Sequence, residues 1–208
     1  MRLITLDGFR KVPIVAILRG LQPVEALNVT EQLVLAGIVA IEVPLNRPNA
    51  LQSIKLMSGH FGDQIAIGAG TVLTSQDVDH VHAAGGQFIV SPNTDVDVII
   101  RTKEQGMESC PGFQTPSEAF TALKHGADYL KLFPCDDISP ATVKAITTVL
   151  PEGTTLLCVG GITAENIPQF QKAGAQGFGI GGSLYKPGDR PEQVFAKAKA
   201  LVTKLSCP

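Results

Sequence analysis

No Cys-x-x-Cys or His-x-x-x-His spacing occurs in the 208 residues, so the sequence offers no metal constellation. The four cysteines, Cys110, Cys135, Cys158 and Cys207, have no paired spacing and read as reduced thiols of a cytosolic protein. An excess of one charge is also missing. Lys and Arg number 17 against 19 Asp and Glu, a formal net charge of −2 with both signs scattered. That balance excludes the basic footprint of a nucleic-acid binder and leaves only small anions bound locally. Long apolar runs are missing as well. Stretches such as VPIVAIL (12–18) are too short to span a bilayer and are strand-like, so no membrane partner is expected. The opening MRLITLDGFRK matches neither a signal nor a transit peptide, which agrees with a cytoplasmic location. His60, His80, His82 and His125 fall on polar helix faces or helix ends, where a surface role is expected. No linker or low-complexity segment divides the chain. With 44% hydrophobic residues it can bury the core of a single domain spanning residues 1–208.

What is present is a repeat. A helix-like segment, a glycine and a short β-branched run recur in EQLVLAGIVAIEVPL (31–45), VHAAGGQFIVSP (81–92), TALKHGADYLKLFP (121–134) and FQKAGAQGFGIGG (170–182). Weaker copies place Gly62 before IAIGAG and Gly106 before MESCPG. Glycine suits the left-handed position just past a helix, and the apolar run fits a strand covered on both faces. The runs VPIVAIL, VAIEV, IAIGA, QFIVS, MESCP, DYLKLF, TLLCV and QGFGI make eight strands, each followed by helical periodicity. Eight alternating units predict an α/β fold, a single (β/α)8 TIM barrel. An open doubly wound sheet is the alternative, but the near-uniform period favours closure. The first eleven residues would suit a short helix plugging the barrel base.

Barrel enzymes place their sites at the C-terminal ends of strands, and the odd polar residues of this sequence fall there. A period of two puts Tyr129, Lys131 and Phe133 on one face of the sixth run, with Leu130 and Leu132 on the other. In the second run Ala40, Glu42 and Pro44 share a face. The first ends on Arg19, and the third runs into GAGT to deliver Thr71. A mid-strand lysine can snorkel, or pair with the strand glutamate as a buried salt bridge. Arg19 can equally be a loop charge and Thr71 a helix cap. Read together, an amine and a carboxylate converging on one rim are the equipment of a Schiff-base aldolase: the amine attacks a ketone and the carboxylate moves protons. That route needs no metal and no cofactor.

The last two turns, CVGGIT (158–163) and GIGGSLY (179–185), are rich in glycine. Loops after strands seven and eight of a barrel often hold phosphate on exposed backbone N–H groups. Gly160, Gly161, Gly181, Gly182 and Ser183 are therefore the candidate phosphate site.

IVAILRG (14–20), AIEVPLNRP (40–48), IGAGTVL (67–73), IVSPN (89–93), CPGFQTPSEA (110–119), LKLFP (130–134) and VGGIT (159–163) follow one another in a pattern that resembles the 2-keto-3-deoxy-phosphogluconate/phosphogalactonate aldolases from about Val12 to Tyr185. The resemblance implies a class I aldolase on a barrel, usually a homotrimer, whose small-molecule partners are a sugar-acid phosphate and pyruvate. By position, Lys131 matches the Schiff-base lysine and Glu42 the general acid/base that works through a water. Arg19, Thr71, Pro92 and Phe133 match residues at the pyruvyl end, and the glycine turns match the phosphate site. EVPLN with Asn46, ILRG, SPN and SLY look like the phosphogalactonate branch, which implies 2-dehydro-3-deoxy-6-phosphogalactonate as substrate; the phosphogluconate substrate is the alternative. GGS stands where that branch has GSD. PCDDISP (134–140) departs from the family's small-residue loop, and its Asp136 and Asp137 are expected to be solvated. A phosphate-binding barrel without lyase chemistry, an epimerase or a binding protein, shares the glycine turns but does not require an inward Lys–Glu pair.

Overall fold

In the computed structural model, which describes residues 7–205, helices give way to strands through left-handed glycines. Gly37, at φ 99°, turns its N–H back onto the carbonyls of Leu33 and Val34. Gly85, Gly106, Gly126 and Gly174 also have positive φ, as the repeat predicts. Gly62 does not. It sits at φ −60° and bonds to the Ser58 carbonyl, so the helical path runs one residue past the expected stop. Helix starts are equally local. Thr74, Asp95 and Ser139 accept backbone N–H groups at their helix N-termini, and Thr115 forms a reciprocal capping box with Glu118.

The elements run α1 (Asp7–Lys11), β1 (Ile14–Ile17), α2 (Pro23–Ala36), β2 (Ala40–Pro44), α3 (Ala50–Phe61), β3 (Ala66–Gly70), α4 (Ser75–Ala83), β4 (Phe88–Val90), α5 (Val96–Glu104) and β5 (Glu108–Cys110). They continue with β6 (Gly112–Phe113), α6 (Pro116–Lys124), β7 (Tyr129–Leu132), α7 (Pro140–Thr147), β8 (Thr155–Val159), α8 (Ile167–Lys172), β9 (Gly177–Ile180) and α9 (Pro191–Leu205). All strand pairings are parallel, in the order β5-β4-β3-β2-β1-β9-β8-β7-β6.

The expected fifth strand, MESCP, is thus two pieces. Pro111 has no N–H to give to a ladder and breaks the strand there. β5 pairs with β4 through Phe88 and Glu108, while β6 pairs with β7 through Gly112 and Lys131. Because one residue separates the two pieces, they are halves of a single barrel strand, and the sheet closes across them. The Asp128 N–H bonds to the Ser109 carbonyl (2.9 Å), and the Lys131 N–H to that of Pro111 (2.9 Å). Eight strands in circular order, each but the split one leading directly into its helix, are the predicted barrel.

Strand alternation separates two cores. Ile41, Val43, Leu130 and Leu132 belong to the large layer between sheet and helices. Val15, Ala40, Ala66, Phe88, Val90, Cys110, Tyr129 and Leu157 fill the barrel interior. Phe9 of α1 is 4% exposed and joins the inner group, so the described part of the N-terminal segment does close the barrel base; residues 1–6 lie outside the described residues. With the inner side chains filling its lower part among the described residues, the barrel's main cavity opens at the C-terminal rim.

Candidate active site

Lys131 lies in the middle of β7 with neighbours on both flanks, Gly112 on one side and Leu157 on the other. Its backbone is fixed by the ladder, and its side chain rises from the inner face above Tyr129. The residue is 6% exposed, and Nζ lies 4.7 Å from the centroid of the Phe133 ring. Glu42 of β2 is 3% exposed, and its Oε2 has no hydrogen-bond partner among the described residues. Gly70, two residues past Glu42's ladder partner Gly68 at the end of β3, makes this position possible: a Cβ there would overlap Glu42 Oε2. Burial pushes the Glu42 carboxyl pKa up, with the charges of Lys131 and Arg19 pulling it back in part. Lys131 and Glu42 share one cavity, but no ion pair within 4.0 Å joins them among the described residues. The closed salt bridge that the sequence left open is therefore not formed.

Around this pair stand the other rim residues. Arg19 donates from Nη1 to Asn46 Oδ1 at 2.8 Å, which steers the guanidinium along the cavity edge. Thr71 has φ 55°, an uncommon left-handed conformation for a threonine, and lines the wall directly after Gly70. Pro92 approaches so near to Gly112 that a Cβ on that glycine would collide with the Pro92 carbonyl. The missing side chain at 112 lets the two strand ends meet beside Lys131.

The glycine turns close the opposite wall. Gly160 and Gly161 are both left-handed, at φ 99° and 62°. Asn166 ties this turn shut by donating to the Gly161 carbonyl (2.8 Å) and accepting from the Thr163 N–H (2.9 Å). Ser183 Oγ reaches the Ile162 carbonyl at 3.4 Å and so links the second turn to the first. Asp136 and Asp137 are exposed, as expected. Asp136 nevertheless leans on the turn: a Cβ built on Gly160 would meet its Oδ2 at 2.7 Å.

One cavity of about 570 Å³ is lined by every residue the sequence nominated: Arg19, Glu42, Thr71, Pro92, Lys131, Phe133, Gly160, Gly161, Gly181, Gly182 and Ser183. Thr163, Tyr185, Lys186 and Pro187 also line it and were not nominated. The signal for the last three was adjacency, since the SLYKP run follows directly on the second glycine turn. Among the described residues no group of His, Cys, Asp and Glu could hold a metal. Of the cysteines, Cys110, Cys135 and Cys158 are buried free thiols, and Cys207 lies outside the described residues. Cys110 belongs to the inner core beneath Lys131, where burial pushes its pKa up to about 12; it is a protonated filler, not a rival nucleophile.

The family model for KDPG and KHG aldolase matches residues 6–196. The chain belongs to this aldolase family. The aldolase is 44% identical over 192 residues to 2-dehydro-3-deoxy-6-phosphogalactonate aldolase of Escherichia coli (strain K12), covering 92% of this chain and 94% of the relative. A solved structure of native KDPGal superposes with a TM-score of 0.91 at 44% identity, covering 93% of this chain and 94% of the other. A cube-shaped, highly porous protein cage, designed by fusing symmetric oligomeric domains, matches with the same score and identity over 93% of the aldolase and 72% of the cage chain. No described helix of the aldolase is long and apolar enough to cross a membrane. Its cavity brings together a cation at Arg19, a buried amine, a buried carboxylate and two glycine turns. These groups are complementary to a ligand that carries a carboxylate, a ketone and a second anionic group.

Proposed function

We propose that this chain is a class I aldolase that cleaves 2-dehydro-3-deoxy-6-phosphogalactonate into pyruvate and glyceraldehyde 3-phosphate through a Schiff base on Lys131. The observation that carries the reading is the burial of Lys131 and Glu42 on facing sides of one cavity, with a carboxylate oxygen free of protein partners. The identity to the E. coli phosphogalactonate enzyme, and Asn46 in the EVPLN motif, support the galacto-configured substrate.

In this reading the free amine of Lys131 attacks the C2 ketone. The carbinolamine loses water to an iminium, which makes the lysine an electron sink. Glu42, through a water, takes the proton of the C4 hydroxyl; the C3–C4 bond then breaks, its electron pair entering the iminium to give an enamine, and the aldehyde leaves. Protonation at C3 and hydrolysis release pyruvate and restore the amine. A carboxyl whose pKa burial has raised is a better proton acceptor and donor near neutrality than an ordinary one. Arg19 and Thr71 hold the pyruvyl carboxylate, Pro92 shapes that end, and the Phe133 ring screens the imine from solvent. Gly160, Gly161, Gly181, Gly182 and Ser183 receive the phosphate, their backbone donors needing no side chain to approach it.

Residues 1–208 act as one barrel domain in the cytoplasm, with its thiols reduced. The aldolase works as a homotrimer, a reading supported by the likeness to a cage built from symmetric oligomeric domains.

The test is reduction with borohydride in the presence of pyruvate, followed by peptide mass spectrometry. A pyruvate adduct on Lys131 is expected, absent from Lys131→Met. An unmodified Lys131 rejects the Schiff base. Pyruvate release from the galacto- and gluco-configured phosphates then decides the epimer, and release from neither leaves only the non-lyase barrel.

A further inference from the structure

The glycine turns offer a phosphate group neutral N–H donors, and the carboxylate of Asp136 leans on one of them. A dianion in that position meets a negative charge, and the cavity's other cation, Arg19, is hydrogen-bonded to Asn46 and assigned above to the pyruvyl carboxylate. Lys186 stands three residues beyond Ser183 and lines the same cavity. Its ammonium group is in no ion pair among the described residues, and the nearest acid in sequence is already engaged. Asp189 accepts from Lys197 Nζ at 2.6 Å and from the Lys186 backbone N–H at 2.8 Å.

The segment that carries Lys186 is anchored on several sides. The Tyr185 hydroxyl donates to Glu25 Oε1 of α2 at 2.7 Å, and the Tyr185 N–H bonds to the Gly181 carbonyl at 3.0 Å. The Asp189 N–H returns to the Lys186 carbonyl at 3.0 Å. Pro187 lies over Gly20, where a Cβ would meet its Cγ at 3.0 Å. With its backbone already placed, Lys186 would pay only side-chain rotamer entropy, and no backbone ordering, when it meets an anion.

We propose that Lys186 is the charged anchor for the ligand's phosphate, closing over the glycine turns from the Tyr185–Asp189 segment and giving the site its preference for a phosphorylated tail. This rests on the aldolase reading for the identity of the ligand, but not for the existence of the anion site. Lys186 is a binding residue and takes no part in the bond-breaking step.

The experiment compares wild type with Lys186→Met and Lys186→Arg. The measured quantity is the ratio of kcat/KM for the phosphorylated sugar acid to that for the same acid without phosphate. A charge-assisted hydrogen bond lost to Met lowers this ratio about 10- to 100-fold, carried mainly by KM, and Arg restores most of it. Titration of inorganic phosphate into wild type and Lys186→Met, followed by calorimetry, is expected to show binding weaker by about tenfold. An unchanged ratio overturns the proposal, and so does a lowered ratio with unweakened phosphate binding, which would place the effect on the sugar. If wild type forms no pyruvate adduct, the aldolase reading fails by itself, while the phosphate titration still decides Lys186.

Discussion

Burial raises the Glu42 carboxyl pKa while the charges of Lys131 and Arg19 oppose the rise, so this residue holds more tightly to its proton in the folded chain than in the unfolded one. The sign of the consequence follows. Below the ordinary carboxylate pKa of 4.5 both states are protonated and the contribution to stability is complete. As pH rises, the unfolded chain releases its proton first, and stability drains until the raised folded pKa is passed. Glu42→Gln has no proton to lose. Urea denaturation at pH 4 and pH 8 should therefore show wild type losing stability relative to Glu42→Gln at the higher pH; parallel behaviour of the two would mean that Glu42 is not desolvated. With Glu42 as the proposed base, which must be ionised to act, turnover has the opposite slope: single-turnover cleavage should decline on acidification at a pH above the ordinary carboxylate range. The sequence alone revealed Lys131 and Glu42, because charge within an apolar alternating run is conspicuous. It did not reveal Lys186, an ordinary exposed lysine by composition, whose interest lies entirely in the cavity it borders.

At the level of elements, glycine inside strands does as much as glycine between them. Gly70 ends β3 beside Glu42, and Gly112 in β6 lets Pro92 come close to the Lys131 strand. Gly70→Ala is expected to keep the barrel, since the strand ladder is untouched, while displacing the Glu42 carboxylate. A displacement of about 1 Å at a reacting group costs on the order of 100-fold in kcat; far-UV circular dichroism and steady-state kinetics on the same preparation check both halves. Activity equal to wild type would show that Glu42 need not occupy its observed place. The glycine rule read from the sequence worked at Gly37, Gly85, Gly106, Gly126 and Gly174 because their positive φ is a local demand that few residues meet. It failed at Gly62, where one more helical bond to Ser58 is made, a choice between two local hydrogen bonds that spacing does not register. The break in the fifth strand was present in the letters CPG, yet only the pairing of β5 with β4 and β6 with β7 shows that Pro111 divides the strand without opening the barrel.

For the whole molecule, the proposed trimer makes the assembled mass the quantity to measure. Leu35, Leu73, Phe120 and Val149 are 63%, 49%, 45% and 53% exposed. They stand on or beside different helices, and single exposed apolar side chains are normal on a protein surface. The trimer reading therefore rests on the likeness to the cage of symmetric oligomeric domains. Sedimentation equilibrium should return about three times the chain mass of 21.9 kDa; a monomer over the accessible concentration range would reject the trimer.

The sequence by itself determined the alternation of helix and strand, the inward faces of the strands and the glycine turns at the rim, because periodicity, caps and left-handed turns are settled within a few residues of chain. Only the tertiary structure decided the gap between Lys131 and Glu42, the lean of Asp136 on the first glycine turn and the bond from Tyr185 to α2, which spans 160 residues of chain. These are distances between segments remote in sequence, and they exist only once the barrel has closed.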